Sequence, residues 1–583
     1  MRAWGSSLLL SIAVPIFSAA QTPSIPRAGE SIEVSIVNVD TVVTDKQGRR
    51  VHGLRKEDFE IYENGVMQPI TNFAEYASER EASSAGVATP SAIAGGSHVA
   101  QPPPAQKRTI IVFVDRFQLP SFRSDPIFAA MKKLLHDSVR PKDRVMVVSW
   151  NRGILGTLVD FTDDLVLIDK AIDVLAERAN TVTLNEMADL EREVDAINRF
   201  EEETANAQRD SGHLPPPEVP RESEMSFFIE QNSRFTAKSA LLDQQRKVQT
   251  LRALMRSIGS ADGKKVLLLA THRLSMYAGA EAMYIAGATV LPSDFRLDFY
   301  NKPLIASLVE TANANGFTVY PIYAEGMGSS SNPGTSEFRF RQRDKSGLPT
   351  PTSVSYDGLV LGNETPMLEF VANETGGMTA WGSSEVTKLL PSIADDFEAY
   401  YSLAYSAPKG SPATRRIEVR ARDPKLTARA RKQYLPKSDT TKMEDRVVAT
   451  LFGNAPPASF EVKVLLASPR LDEKKHYQIP ITIEVPISAL TMLPGDGNSS
   501  TGAFTVYTAW GATLGGMSDT HHETKQYSIA AADLEKAKQN HFTYQFNVAS
   551  ATPYLRVALG VYDEVSKEFA LNLVNLEPPA KER

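Results

Sequence analysis

The sequence predicts an α/β, doubly wound central domain that carries a helical insertion and is flanked by N-terminal and C-terminal β-sandwich-like domains. Short apolar runs alternate with amphipathic helices in the middle of the chain, strand patterns occupy both ends, and one long charged stretch interrupts the middle. Because 583 residues exceed what a single hydrophobic core can fill, several domains are expected.

The first twenty residues have the pattern of a secretory signal peptide. Arg2 precedes an apolar run from Leu8 to Phe17, and small residues follow up to Ala20. We expect cleavage near Ala20 and a mature protein that is secreted or held in the periplasm or cell envelope; an uncleaved N-terminal anchor is the alternative. The chain has no cysteine, which excludes disulfides and suits a bacterial periplasm or surface.

Residues 21–78 predict a small N-terminal β domain. Its clearest signal is a hairpin, in which strands at 59–62 and 67–73 are joined across Asn64-Gly65, the dipeptide most typical of tight hairpin turns. Residues 79–105 are rich in Ala, Ser, Gly and Pro and lack periodicity, which indicates a linker.

Residues 106–437 alternate buried strands with helices. The predicted strands are Thr109–Val114, Arg144–Trp150, Leu155–Phe161, Lys265–Ala270 and Phe317–Tyr323, and the predicted helices cover Asp125–Val139, a segment from Asp164 onward and Leu304–Ala312. Strands that are apolar throughout and separated by helices predict a mostly parallel sheet. The ligand crevice of such a sheet lies at the carboxyl ends of its strands.

Two further segments complete the predicted organisation. The charged, helix-prone stretch at about 177–257 is interpreted as a helical insertion, with a proline-rich break around Gly212 to Pro220 that would allow a paired-helix arm. Residues 438–583 return to strand patterning at Tyr477–Val485 and Leu555–Tyr562, which predicts a terminal β-sandwich.

Composition and motifs exclude several functions. A net charge of -7 and a pI near 5.9 provide no general attraction for nucleic acid. No stretch of the mature chain has the roughly 18 apolar residues of a spanning helix. Without cysteine or a Gly-x-Ser-x-Gly elbow the chain has no recognisable catalytic constellation, so an enzyme is not expected. The adjacent His521 and His522 indicate a turn between strands rather than a metal site.

Several ordered segments resemble VWFA-related proteins that are abundant in Acidobacteria, a family with von Willebrand factor type A-like domains. The segments that carry the resemblance are Val42–Gly48, Asp58–Gly65, Phe113–Asp115, Asp143–Val145, Phe161–Asp164, Tyr400–Tyr405, Ile417–Arg420 and Ala428–Tyr434. They span most of residues 31–437 in the family's order. The resemblance implies a doubly wound α/β fold used for contact with proteins, frequently through a bound Mg²⁺.

The family's metal site uses Asp-x-Ser-x-Ser after the first strand, a Thr from a second loop and an Asp from a third. This chain keeps the first carboxylate as Asp115, but Phe117 and Leu119 replace the two serines. Thr181 and Thr183 are weak candidates for the second loop, and His272 stands where the later Asp is expected.

Three interpretations of Asp115 therefore follow: a degenerate site for Mg²⁺ or another divalent cation, a transition-metal site shared with His272, or a carboxylate that only orders its loop. The third is preferred, so no cofactor is expected.

A basic cluster follows the tyrosine-rich strand of the central domain. It comprises Arg415, Arg416, Arg420, Arg422, Arg429 and Arg431. Such a cluster suits either an acidic partner or an ordinary charged sheet edge. The function expected from the sequence is an exported protein that contacts another, unidentified protein in the bacterial envelope. The alternatives are a secreted, self-assembling matrix component and a substrate-recruiting part of an extracytoplasmic hydrolase.

Overall fold

A five-stranded mixed sheet lies at the centre of the protein, as seen in a computed structural model. Its strands are β5 (Arg108–Asp115), β6 (Arg144–Asn151), β7 (Ile154–Thr162), β8 (Lys264–Thr271) and β9 (Phe317–Tyr323). Their spatial order is β7-β6-β5-β8-β9, in which β7 alone is antiparallel to its neighbour. All five strands were predicted from their apolar runs.

The structure describes most of the chain from residue 35 onward. The described residues are 35–76, 108–115, 121–151, 153–179, 222–259, 263–271, 274–286, 288, 290–323, 341–343, 349–351, 356–379, 383–407, 414–452, 455–473, 475–495, 498–512 and 517–576. They belong to one compact unit, Ser35–Arg583. The predicted signal peptide, the 79–105 linker and the break near Gly212 lie outside them.

Helices cover both faces of the central sheet, as expected for a doubly wound domain. The helices are α1 (Ser121–Ser138), α2 (Leu165–Ala179), α3 (Glu222–Ser257), α4 (Ala280–Ile285), α5 (Ser293–Asp298), α6 (Lys302–Ala314), α7 (Tyr356–Thr375) and α8 (Ser383–Glu398). Alternate residues of β5 face opposite layers: Val112 packs with α1, α2 and α8, whereas Phe113 packs with α3, α6 and α7. Since both faces are covered, β5 is buried at every position.

Helix α3 belongs to this core, although the sequence assigned it to an insertion. Val248, Leu251, Leu254 and Met255 are buried in the apolar layer against β5 and β8. These residues recur at the three- and four-residue spacing of one helix face, and the charged residues between them lie outside it. The end of the predicted 177–257 insertion is therefore a packing helix of the doubly wound domain rather than part of an arm.

The strands of the predicted N-terminal domain share two sheets with residues 400–434. The strands are β1 (Ser35–Thr44), β2 (Phe59–Glu63), β3 (Val66–Gln68), β4 (Ile70–Tyr76), β12 (Tyr400–Ala407), β13 (Arg415–Ala421), β14 (Thr427–Ala430) and β15 (Gln433–Tyr434). One sheet has the order β14-β1-β12-β4 and the other β15-β13-β2-β3. Val39, Ile61 and Leu403 lie in the apolar core between them. Two chain segments that the sequence assigned to different domains thus build one sandwich.

The hairpin predicted at Asn64-Gly65 is present. β2 and β3 pair antiparallel with Glu63 opposite Val66, and both turn residues adopt positive φ, 50° for Asn64 and 81° for Gly65. Two consecutive residues with positive φ match the right-handed twist of a hairpin, and Asn and Gly adopt that conformation at low cost.

Residues 439–576 form a helix and a second sandwich. The elements are α9 (Asp439–Leu451), β16 (Lys463–Leu466), β17 (Arg470–Leu471), β18 (Tyr477–Pro486), β19 (Leu493–Gly495), β20 (Ser499–Ala512), β21 (His521–Ala530), α10 (Leu534–Ala537), β22 (His541–Ser550), β23 (Leu555–Asp563) and β24 (Phe569–Asn575). Ile481 and Ile483 of one sheet share a buried core with Val506 and Val557 of the other. This agrees with the strand alternation predicted for the terminal segment.

Helix α9 packs closely on the second sandwich and is tied to the central domain. A Cβ at Gly560 of β23 would come within 2.5 Å of Met443, so only glycine fits this contact without a shift. At the other side of the helix, Asp445 accepts hydrogen bonds from Arg256 at 2.6 Å and from Lys437 at 2.7 Å.

The remaining elements are short. They are β10 (Arg341–Arg343), β11 (Pro349–Pro351) and three 3₁₀ turns at Lys56–Asp58, Ile487–Ala489 and Ala531–Asp533. None of the helices in the described ranges combines the length and apolarity needed to cross a membrane.

Candidate functional site

Asp115 and Thr271 meet at the carboxyl end of the central sheet. Asp115 is the last residue of β5 and Thr271 the last of β8, and these parallel strands are neighbours in register, with Val114 beside Ala270. The Thr271 hydroxyl donates a hydrogen bond to Asp115 Oδ2 at 3.3 Å, and both residues are buried. Asp115 thus lies at the carboxyl end of its strand, the end of the sheet at which the sequence predicts a ligand crevice.

A lysine from helix α3 completes this cluster. The Lys247 ammonium forms an ion pair with Asp115 Oδ2, and the side chains of Lys247 and Asp115 are only 2% and 1% exposed. Lys247 projects from the face of α3 that also carries Val248 and Leu251, so its aliphatic stem lies in the apolar layer while its charged end reaches the sheet. The helix thus supplies a cation to the end of β5.

Because both charges are buried, the pair is stable only while the two groups remain in direct contact. Two charges removed from water each lose several kcal/mol of hydration, and in a buried site only direct contact with an opposite charge offsets that loss. The Lys247 ammonium and the Thr271 hydroxyl both contact the same carboxylate oxygen of Asp115. The arrangement neutralises Asp115 and fixes α3 against two strands.

The oxygen atoms of this cluster do not match the ligands that a hard divalent cation requires. Mg²⁺ requires near-octahedral oxygen coordination, whereas the described residues here offer one carboxylate that already bears an ammonium and one hydroxyl. Across the described ranges, no group of three or more His, Asp or Glu side chains has a metal-binding arrangement. His272, Phe117, Leu119, Thr181 and Thr183 lie outside those ranges, so the shared site of Asp115 and His272 stays a prediction.

Sequence reasoning missed Lys247, although a signal was present. Gln244, Lys247, Leu251 and Leu254 follow one another at helical spacing, so the lysine falls on the stripe that contains the apolar residues. A lysine on the buried face of an amphipathic helix indicates a buried carboxylate partner, since lysine is almost never fully buried unpaired. The sequence alone does not identify which carboxylate that is.

Members of the predicted basic cluster have different surroundings. Arg415 pairs with Glu63 at 3.0 Å inside the first sandwich, and Arg420 pairs with Glu418 at 2.7 Å on its surface. Arg429 instead reaches the buried Asp396 at 2.5 Å. These three arginines are thus held by carboxylates in different parts of the fold.

The adjacent histidines begin strand β21 instead of lying in a turn. His521 stacks on Trp510, with ring centroids 5.0 Å apart, and His522 packs against Tyr507 at 5.4 Å. Because neighbouring strand residues point to opposite faces, the two rings have separate surroundings. His522 also lies 3.7 Å from Glu444, a contact that is an ion pair only when the histidine is protonated.

The fold and this site define a class: a doubly wound α/β domain, packed with β-sandwiches, whose sheet carries a buried ion pair at its carboxyl end. No protein-family model matches the chain, and no curated protein matches it.

Solved structures with some similarity include the conserved hypothetical protein BatB of Bacteroides thetaiotaomicron, at 12% identity over 50% of this chain and 96% of that chain, with a TM-score of 0.20. Another is the manganese-loaded TRAP protein of Plasmodium vivax, at 8% identity over 57% of this chain and 96% of that chain, also with a TM-score of 0.20. The doubly wound description depends on the strand order and the helix layers.

Proposed function

We propose that this chain is an exported, noncatalytic interaction protein of the bacterial envelope, and that its doubly wound domain contacts another protein without a metal ion. The ion pair between Lys247 and Asp115 is the observation that carries this proposal. In metal-dependent adhesion, a divalent cation at this end of the sheet would bind a carboxylate supplied by the partner. Here the Lys247 ammonium already neutralises Asp115 and repels a second cation.

The exposed face of α3 is the contact surface we favour. Phe235 is 76% exposed and Leu242 is 45% exposed, and their spacing of seven residues places them on the same face of the helix. Nearby, Arg234 pairs with Asp294 of α5 at 2.8 Å, which holds this part of the helix to the domain. Large apolar side chains on a firmly held helix suit docking of a protein, because little order is lost on binding.

Export is supported by the signal-peptide pattern at residues 1–20 and by the absence of cysteine from the sequence. The noncatalytic role is supported by the lack of any nucleophile motif in the sequence.

Calorimetric titration of residues 21–583 with MgCl₂, MnCl₂ and ZnCl₂ tests whether the protein binds a divalent metal ion. We expect no saturable heat from the native protein. Asp115→Asn is the test variant, and Asp160→Asn, an exposed carboxylate of β7, is the matched control. One-to-one binding that disappears in Asp115→Asn but persists in Asp160→Asn would refute the metal-independent proposal.

The contact surface is tested by photo-crosslinking. A benzophenone amino acid at position 235, with position 160 as the control, is exposed to an envelope fraction in EDTA and then in MgCl₂. We expect adducts at 235 in both buffers and fewer at 160. Adducts that require MgCl₂ would contradict metal independence, whereas adducts of the chain with itself alone would favour the self-assembling alternative.

A further inference from the structure

A cavity of about 440 Å³ lies at the opposite, amino end of the central sheet, against the first sandwich. The first residues of β8 and β9 form one wall, and strands β1, β12 and β14 form the other. Its described lining includes one carboxylate, Asp40, and four cations: Lys264, Lys265, Arg429 and Arg431. This volume is within the range of roughly 300–1,000 Å³ typical of small-molecule sites.

A second carboxylate close to the cavity, Asp396, is held by two arginines. Asp396 is completely buried; one of its oxygens contacts Arg50, and the other accepts hydrogen bonds from Arg429 at 2.5 Å and Tyr320 at 3.0 Å. Asp396 therefore already neutralises two arginines, so its attraction for the nearby Lys264 is shared among three cations. The described residues that line the cavity thus include four cations and one carboxylate.

Arg431 shows this excess most directly. Its guanidinium donates hydrogen bonds to the Asn313 carbonyl at 2.8 Å and to the Asn38 carbonyl. Both acceptors are neutral, so among the described residues its hydrogen bonds position the guanidinium without cancelling its charge. Asp40 is the carboxylate close enough to interact electrostatically with it. A held but uncompensated guanidinium is suited to an oxyanion, since its planar set of donors matches carboxylate and phosphate.

Lys264 is in a similar position. Its ammonium donates to the Asp396 backbone carbonyl at 2.5 Å and lies 3.8 Å from the centre of the Tyr400 ring. Both are uncharged acceptors of the cation. Burial lowers the pKa of Lys264 to about 8, even though Asp40 and Asp396 act in the opposite direction and Arg429 and Arg108 act with burial.

Glycines bring the backbone to the cavity wall. Gly263, Gly316 and Gly376 line it with φ of 89°, 71° and 79°. At Gly316 a Cβ would meet only the Lys265 Nζ, 3.9 Å away, so the space beside the peptide is open and next to an ammonium. Positive-φ glycines are the usual residues where a ligand approaches the main chain closely.

We propose that this cavity binds a small oxyanion, a molecule bearing a phosphate or carboxylate group, through Arg431 and Lys264. The physical reason is the charge imbalance: cations held together in a partly buried space repel one another, and a bound anion removes that repulsion. The site is separate from the ion pair at Asp115, because the two lie at opposite ends of β8 and β5.

Calorimetry of residues 21–583 with inorganic phosphate, pyrophosphate and citrate at constant ionic strength tests the proposal. We expect one saturable site per chain, and the ranking of the three anions distinguishes phosphate from carboxylate chemistry. Arg431→Gln should weaken binding by about 10-fold or more, the usual effect of losing a charged hydrogen bond. Arg420→Gln, an exposed arginine paired with Glu418, is the matched control and should leave affinity unchanged.

Asp40→Asn provides a test that does not depend on loss of binding. Removing the one carboxylate among the described lining residues should raise the affinity for the anion by about 5-fold, corresponding to a Coulomb interaction of about 1 kcal/mol across roughly 4 Å of water. Circular dichroism verifies that each variant is folded. The proposal is overturned if none of the three anions gives saturable heat, if Arg431→Gln binds as the native chain does, or if Asp40→Asn does not gain affinity.

Discussion

Buried lysines at the two ends of the central sheet have different electrostatic surroundings. At the carboxyl end, the Lys247 ammonium contacts the Asp115 carboxylate directly, and the Thr271 hydroxyl supports the pair. At the amino end, the Lys264 ammonium is held by a carbonyl and an aromatic ring, with further cations around it. A buried lysine is therefore paired directly with a carboxylate at one end and held by uncharged groups at the other.

This difference indicates which end is structural and which can respond to a ligand. A matched pair is costly to separate, so the carboxyl end should tolerate little change. An uncompensated cation gains from any anion that reaches it, so the amino end should change with pH and with added oxyanions. Variants that change the charged residues at each end of the sheet test this difference.

Lys247→Met should be the most destabilising change. It leaves Asp115 as a buried charge without its ammonium, and breaking such a pair typically costs about 3–5 kcal/mol of unfolding free energy. The measurement is urea unfolding followed by tryptophan fluorescence, to which Trp150 contributes from the same apolar layer as α3.

Two controls separate the lost ion pair from the lost side-chain packing. Lys238→Met removes an exposed lysine of the same helix and should have little effect. The double variant Asp115→Asn/Lys247→Met should recover much of the loss, since no unpaired charge remains. A double variant as unstable as Lys247→Met alone would show that packing, and not charge, determines the effect.

Lys264 should make stability depend on alkaline pH. Its pKa in the folded chain is about 8, against an ordinary 10.5, so between these values the unfolded chain holds a proton that the folded chain has released. The free energy of unfolding should therefore rise with pH across this window, by up to about 3 kcal/mol for a shift of this size.

Comparison with Lys264→Met isolates this contribution. The variant should lose that part of the rise, and at pH 7 it should be more stable than the native chain because no buried ammonium remains. Unfolding measured from pH 7 to 10.5 for both chains gives the difference directly. Parallel curves would mean that Lys264 is compensated by a charge in the way that Lys247 is.

Asp40→Asn should destabilise the ligand-free protein modestly. The cations of the cavity lose the attraction of Asp40, the one carboxylate among the described lining residues, at a cost of about 1 kcal/mol for a partly hydrated interaction. Pyrophosphate should restore the loss, because a ligand that binds only the folded state stabilises it. Thermal unfolding with and without pyrophosphate measures both effects; a loss that pyrophosphate does not reverse would argue against a shared electrostatic origin.

Arg420→Gln should have the smallest effect. Arg420 and Glu418 form a pair at 2.7 Å whose side chains are each 53% exposed, and such surface pairs contribute little to stability. We expect no measurable change in the unfolding midpoint. A clear loss would indicate that surface pairs of the first sandwich contribute more than their exposure suggests.

Sequence patterns predicted the strands of the central sheet well, and domain membership less well. The apolar runs of β5 and β8 and the Asn64-Gly65 hairpin are local signals, and the structure contains each of them. By contrast, the pairing of β1 with β12 joins residues 35–41 to residues 401–407, which no local pattern reveals. The charged residues of α3 also concealed its buried face, so a core helix was assigned to an insertion.

By itself, the sequence determined the doubly wound order of strands and helices and placed Asp115 at the end of a buried strand. Hydrophobic periodicity and turn residues suffice for this, because they act between residues a few positions apart. Only the tertiary structure decided that Lys247 neutralises Asp115 and that Lys264, Lys265, Arg429 and Arg431 surround one cavity. Whether a buried charge is compensated depends on which distant segments the fold brings within a few ångströms, and Coulomb interactions depend on that distance and on exclusion of water.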